Sequence, residues 1–257
     1  MKLFRLFCFA VLVLALMTPL YGADDDIATL MARGDEASDR NDYTNAAVAY
    51  MQVLKIDSLN YEALWKAGDM YTELADQLDE SQKNQKETYF TKAEELCLKA
   101  IQVNDTGWEG HAKLSVVYGR LGLFRGGKEK VKIAQKVRAE AERAVELNPQ
   151  CDLAMHVLGR WHQNVADLSG VLKFFSKTLY GEELKGSHEE AVEWFKKAVA
   201  VEPNILRHHY QMGVSYKELK QDDLAKAELE KAVTLAPEND EEIGFLEEAK
   251  KLLKKMK

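Results

Sequence analysis

The sequence predicts an all-α fold, a right-handed α-solenoid of about five helix pairs closed by a C-terminal capping helix. Three observations predict it. Pro149, Pro203 and Pro237 each follow an alanine by five residues, at Ala144, Ala198 and Ala232, and Pro203 and Pro237 stand 34 residues apart. Gly34, Gly68, Gly159 and Gly213 recur in the first half of their units, each ahead of an alanine-centred apolar stripe. The composition is that of a folded globule, 46% hydrophobic and 30% charged with 4 prolines and 15 glycines in 257 residues, which excludes disordered, collagen-like and low-complexity chains.

The first element, residues 1–23, reads as a secretory signal. Lys2 and Arg5 precede an unbroken apolar run from Leu6 to Met17, and Thr18-Pro19 ends it before Gly22-Ala23. The run is short for a membrane span, which needs roughly 20 apolar residues, so cleavage near Ala23 is expected and an uncleaved membrane anchor is the alternative. Cleavage would remove two cations and no acid, taking the net charge from −7 to −9.

Residues 24–257 then form one solenoid. A 34-residue period of helix, turn and helix is that of the tetratricopeptide repeat. The first unit, 27–60, carries Gly34, then Ala46, Tyr50 and Val53, with Asp57-Ser58 in place of the proline. The second, 61–107, carries Gly68 and Tyr71, then Ala93, Cys97 and Ala100, its halves separated by the polar stretch Gln77 to Lys86. The third, 108–151, is the least regular, with Leu114, Ser115 and Tyr118, then Val137, Ala141 and Ala144, and a lengthened middle from Gly122 to Lys130. The fourth, 152–205, has Leu158-Gly159, then Ala191, Phe195 and Ala198, and Ser187-His188-Glu189-Glu190 is a capping box that starts its second helix. The fifth, 206–239, pairs a helix Leu206–Leu219 with a helix Asp222–Leu235 that Pro237 stops. A glycine facing an alanine across each pair is expected to let the backbones approach closely. Residues 241–257 follow as a capping helix whose stripe is Ile243, Leu246, Ala249, Leu252, Leu253 and Met256.

Several function classes fall away. A net charge of −7 with pI near 5.5 argues against nucleic-acid binding, which needs clustered cations in excess. The six histidines, among them His156 and His162 six apart on one helix and the adjacent His208-His209, show no metal-ligand spacing. No nucleophile elbow, phosphate loop or dinucleotide fingerprint occurs; Gly122 with Gly126-Gly127 has the wrong spacing. The chain is expected to be non-enzymatic, with no cofactor and no metal. Cys97 and Cys151 are expected to be free buried thiols. Asn104-Asp105-Thr106 matches a glycosylation acceptor.

One stretch is more specific than the repeat. Gly159-Arg160-Trp161-His162, Val165-Ala166-Asp167-Leu168-Ser169, Thr178-Leu179-Tyr180-Gly181, Ser187 through Ala191 and Trp194-Phe195 resemble the regulator of microtubule dynamics family of tetratricopeptide-like proteins, and the resemblance runs from about Leu64 to Ala249. It implies a long insertion between the helices of the fourth unit and lengthened second and third units. It also implies a protein-interaction scaffold, in a family whose eukaryotic members associate with microtubules and with mitochondrial or reticulum membranes. An export signal separates this chain from cytosolic tubulin, so the fold and the binding class carry over and microtubules do not.

In such a stack the first helices line a concave groove. Its slots hold Met31, Asp35, Ser38, Asp39, Glu62, Trp65, Asp69 and Glu73 on an acidic half, and Arg120, His156, Arg160, Gln163, Asn164, Arg207, Tyr210 and Lys217 on a basic, amide-rich half. Opposite signs along one surface would orient a peptide or protein segment, with Trp65 and Tyr210 as aromatic anchors; solvated helix faces are the alternative. The carboxylate clamp of chaperone-tail binders needs Lys and Asn where Met31 and Asp35 stand, which argues against that role. The insertion Asp167–Gly186, with Val171, Leu172, Phe174, Phe175, Leu179 and Tyr180, reads as core packing ahead of a second binding segment.

Overall fold

The computed structural model describes residues 26–181 and 183–256, so the signal or anchor expected over residues 1–23 lies outside the described residues. Among the described residues there are twelve α-helices and no strand. Five helix pairs follow one another: α1 (Ile27–Asp39) with α2 (Tyr43–Ile56), α3 (Tyr61–Asp76) with α4 (Lys83–Val103), α5 (Trp108–Arg125) with α6 (Gly127–Leu147), α7 (Asp152–Ala166) with α9 (His188–Val201), and α10 (Leu206–Glu218) with α11 (Asp222–Ala232). A helix α8 (Gly170–Tyr180) lies inside the fourth pair, and α12 (Asp240–Lys255) ends the chain. No helix among the described residues is long and apolar enough to cross a membrane.

The repeated residues set the pair boundaries chemically. In the first four pairs the N–H after the second helix bonds the carbonyl of the same slot: Asp57 to Val53, Asn104 to Ala100, Asn148 to Ala144 and Glu202 to Ala198. Asn148 and Glu202 precede prolines, which favour extended angles, and both sit near φ −130°. In the last pair Pro237 keeps the same spacing from its alanine, but α11 ends at Ala232 rather than Leu235, the chain leaving through the turns of Val233 to Leu235. Side-chain caps start α1 and α3, where Asp26 accepts from Thr29 N at 2.8 Å and Asn60 from Ala63 N at 3.0 Å, and Ser187 does the same for α9, accepting from Glu190 N at 3.1 Å.

The expected close approach of glycine to alanine backbone is present at Gly68 and Gly213, where a Cβ would stand 3.3 Å from the Ala93 and Ala225 carbonyls, and the glycines make a second contact with side chains. A Cβ on Gly159 would stand 2.5 Å from the Phe195 ring, and one on Gly34 would stand 2.4 Å from Tyr50. Each glycine receives the side chain four residues beyond the alanine, Tyr50, Cys97, Phe195 or Leu229, which takes the volume that a missing Cβ frees. The lengthened second and third units also differ from expectation. Their extra residues form regular helix, since α4 and α6 each run 21 residues, and α5 meets α6 through Gly126 and Gly127 at φ 63° and 48°.

The insertion divides its faces. Leu168, Ser176 and Leu184 are buried and Tyr180 Oη donates to the carbonyls of Val131 (2.6 Å) and Lys132 (2.9 Å), which fastens α8 onto α6. Val171 and Phe174 remain 75% and 73% exposed, so only half of this segment is core. α12 keeps most of its expected stripe, with Ala249 buried and Leu246, Leu252, Leu253 and Met256 half-buried, but Ile243 is exposed and the inner side begins with Glu242 and Phe245. Arg207 and the Glu238 N–H satisfy the Glu242 carboxylate, which lets an acid occupy the buried side. Cys97 and Cys151 are free and buried.

Candidate protein-binding groove

The first helices α1, α3, α5, α7 and α10 and the start of α12 enclose a cleft of about 390 Å³. Of the expected site residues, Asp69, Glu73, Arg120, His156, Arg160 and Asn164 line it. Trp65, Gln163, Tyr210 and Lys217 lie outside the lining. Trp65 is half-buried against the core of the first two pairs, with Lys66 Nζ 5.5 Å above its ring. Gln163 is buried between α7 and α10, its Nε2 donating to Gln211 O (2.9 Å) and Ser215 Oγ (2.8 Å), so it is a strut between pairs rather than a groove contact. Tyr210 is covered by Phe245, and Lys217 is half-exposed in the last turn of α10.

The cleft neutralises much of its own charge. Lys113 Nζ stands 2.6 Å from Asp69, and Lys66 bridges Asp35 (2.7 Å) and Glu62 (2.6 Å), which removes most of the expected acidic half. Arg120 donates to Asp76 at 2.9 Å and grips Glu241 through both terminal nitrogens at 2.7 and 2.5 Å. Burial opposes the charge on Arg120, and the Glu241 hydrogen bond and Asp76 overcome it, so its proton is held more tightly than usual. Burial raises Glu241 as well, yet the Arg120 bond wins and the carboxyl ends below its ordinary range. Glu73 has no such partner among the described residues. Burial, then the nearby Asp69 and Asp76 charges, push it up to about 7.

His156 belongs to a buried chain. Its Nδ1 is 3.0 Å from His208 Nδ1, and His208 Nε2 is 3.0 Å from Asp152 Oδ2, joining α7 to α10. Burial, followed by His208 and the surrounding arginines, holds His156 well below 6.5; burial also lowers His208, against the pull of Asp152. Sequence spacing separated these histidines by 52 positions, so the contact was visible only through the repeat register. No group of three or more His, Cys, Asp or Glu side chains among the described residues is arranged to hold a metal ion.

Arg160 differs from the other cations. Its Nη1 donates to amide oxygens only, of Gln211 at 2.6 Å and Gln163 at 3.2 Å, and no carboxylate among the described residues is within ion-pair distance. Lys130, on the neighbouring α6, likewise bonds the Asn164 amide oxygen at 2.7 Å. Arg207, Glu238, Glu241 and Phe245 also line the cleft. Arg207 stood among the expected slots, whereas the α12 residues were assigned only to an apolar end cap.

The family model described as regulator of microtubule dynamics protein 1-3 matches residues 30–257. Regulator of microtubule dynamics protein 1 of Bos taurus is 27% identical over 199 residues, covering 77% of this chain and 62% of its own length. Regulator of microtubule dynamics protein 3 of Rattus norvegicus is 23% identical over 233 residues, 89% of this chain and 49% of its own. The chain thus spans between about half and three-fifths of these relatives. Among solved structures, TTC0263, a thermophilic TPR protein of Thermus thermophilus, superposes with a TM-score of 0.63 at 17% identity, covering 87% of this chain and 98% of that one. That likeness shows the tetratricopeptide-type fold.

Proposed function

We propose that this chain, which belongs to the regulator of microtubule dynamics family, is a non-enzymatic interaction scaffold that holds a peptide or protein segment in its concave cleft after export. The observation that carries this is the cleft itself: successive first helices bring Asp69, Lys113, Arg120, Arg160 and Arg207 onto the wall of one cleft of about 390 Å³, Asp69 and Lys113 meeting across 44 positions. Such a surface offers many ion pairs and hydrogen bonds along an extended partner, and its chemistry is recognition rather than bond-making. The export half of the reading rests on the Lys2 and Arg5 start and the apolar run Leu6 to Met17.

Mild crosslinking in the native host, followed by pull-down and mass spectrometry of the recovered N-terminus, tests both halves. A chain beginning near Asp24 that carries envelope or secreted proteins is expected, with capture reduced by Arg160→Glu. Capture indifferent to both Arg160→Glu and Asn164→Ala overturns the groove. An intact Met1 together with membrane proteins overturns export and makes the chain a membrane-anchored component.

A further inference from the structure

The basic half of the cleft already holds a polypeptide segment, the chain's own. Glu241 takes both terminal nitrogens of Arg120, and Glu238 (3.0 Å) and Glu242 (2.9 Å) share Arg207 Nη1. The Glu238 carbonyl accepts from Asn41 Nδ2 at 3.4 Å, a contact that reaches across 197 positions to the first pair. One turn further on, Phe245 stacks on Tyr210 with centroids 4.8 Å apart and planes 17° from parallel. An end cap needs only apolar cover. This segment instead satisfies a cationic cleft with three glutamates and an aromatic ring, and one of the glutamates, Glu242, is fully buried against Arg207.

The occupant does not saturate the surface. Arg160 on the cleft wall, and Lys130 just behind it against the lining residue Asn164, still meet only amide oxygens, and burial and neighbouring positive charge lower the proton affinity of both. The field left over favours a negatively charged segment over a neutral one. Bidentate arginine contacts then fix where its carboxylates sit.

We propose that the cleft recognises a partner segment built like the start of α12, an acidic helical turn with an aromatic residue four positions after the glutamate that meets Arg120, and that α12 occupies this site in cis until such a segment competes. The proposal rests on the scaffold reading above and gives it a partner chemistry. A tethered occupant acts at an effective concentration in the millimolar range, so a competing segment binds the closed protein weakly and the opened one well.

The test uses a fluorescein-labelled peptide of residues Pro237 to Ala249, titrated by anisotropy with the full chain and with the double variant Glu238→Gln/Glu241→Gln, while hydrogen exchange follows the α12 amides. Faster exchange in α12 and at least tenfold tighter peptide binding by the variant are expected. Adding Lys130→Gln/Arg160→Gln to it should weaken binding about fivefold and flatten the salt dependence. Unchanged exchange overturns the cis occupancy. Released α12 without tighter binding overturns the acidic partner, as does equal binding of a peptide with lysines for the three glutamates; that last result leaves the groove reading standing. The crosslinking experiment judges the scaffold reading separately, because it does not depend on the partner's charge.

Discussion

Glu73 offers the sharpest test of the cleft's electrostatics. Its carboxyl is pushed up to about 7 from an ordinary 4.5 by burial and by Asp69 and Asp76, and no cation pairs with it directly among the described residues. In the unfolded chain it loses its proton near 4.5, so between about pH 4.5 and 7 the folded protein binds more protons, and stability falls as pH rises through that window. At about 1.4 kcal/mol for each tenfold change in proton affinity, an ionised Glu73 opposes folding by roughly 3 kcal/mol. Residual solvent contact reduces this to roughly 2 kcal/mol. Glu73→Gln removes the charge and keeps the shape, so it should stabilise by roughly 2 kcal/mol at about pH 8 and by less than about 1 kcal/mol at about pH 5, where folded Glu73 is already neutral. Urea unfolding followed by circular dichroism at the two pH values reads this as a midpoint that moves up chiefly at about pH 8, by somewhat under about 1 M for a protein this size. Equal shifts at both pH values, or a loss at the higher one, would refute the assignment of an unpaired buried acid.

Three further outcomes follow from the same contacts. Because His156 and His208 are held below 6.5, the unfolded chain binds more protons than the folded one in mild acid, so their contribution is intact above about pH 6.5 and is lost as pH falls below it; His156→Gln should flatten the unfolding slope between about pH 6.5 and about pH 5, measured as thermal midpoints. Gly159→Ala places a Cβ 2.5 Å from the Phe195 ring and should cost about 1–3 kcal/mol or more, whereas Gly244→Ala, with nothing within 4 Å, should leave the urea midpoint unchanged or slightly raised. Tyr180→Phe removes two bonds to α6 carbonyls at a cost of about 1 kcal/mol, and hydrogen exchange should quicken in α8 while α10 and α11 are unaffected.

The helix pairs were legible because their signals are local. An alanine carbonyl that closes a helix, a proline just beyond it and a capping serine act within a few residues, so the unit boundaries could be read by spacing. Gly126 and Gly127 were noticed as a lengthened middle, but only the fold shows two long helices meeting there. The charges were misread for a different reason. Asp69 and Lys113 are 44 positions apart and Arg120 and Glu241 are 121 apart, so counting acids and bases along the groove slots could not reveal that they cancel. The start of α12 was missed because an apolar stripe was sought, and the buried side there begins with Glu242.

The residues that hold the insertion in place and the residues that line the cleft are largely different sets. Trp161 Nε1 donates to the Ala134 carbonyl at 2.7 Å, Tyr180 ties α8 to α6, Ser176 Oγ accepts from Leu184 N at 3.1 Å, and a Cβ on Gly186 would meet Val165 at 2.7 Å. These contacts fix how the insertion folds back over the outer helices, and none of these residues lines the main cleft except through its neighbour Arg160. A chain can therefore keep the family's architecture while its concave charges are set independently, since an exchange at Arg120 or Arg207 touches no part of that lock. Shared fold then predicts a shared way of presenting side chains, and under the acidic-segment proposal an exchange at Arg120, Arg160 or Arg207 alters the partner's carboxylate contacts without disturbing that lock.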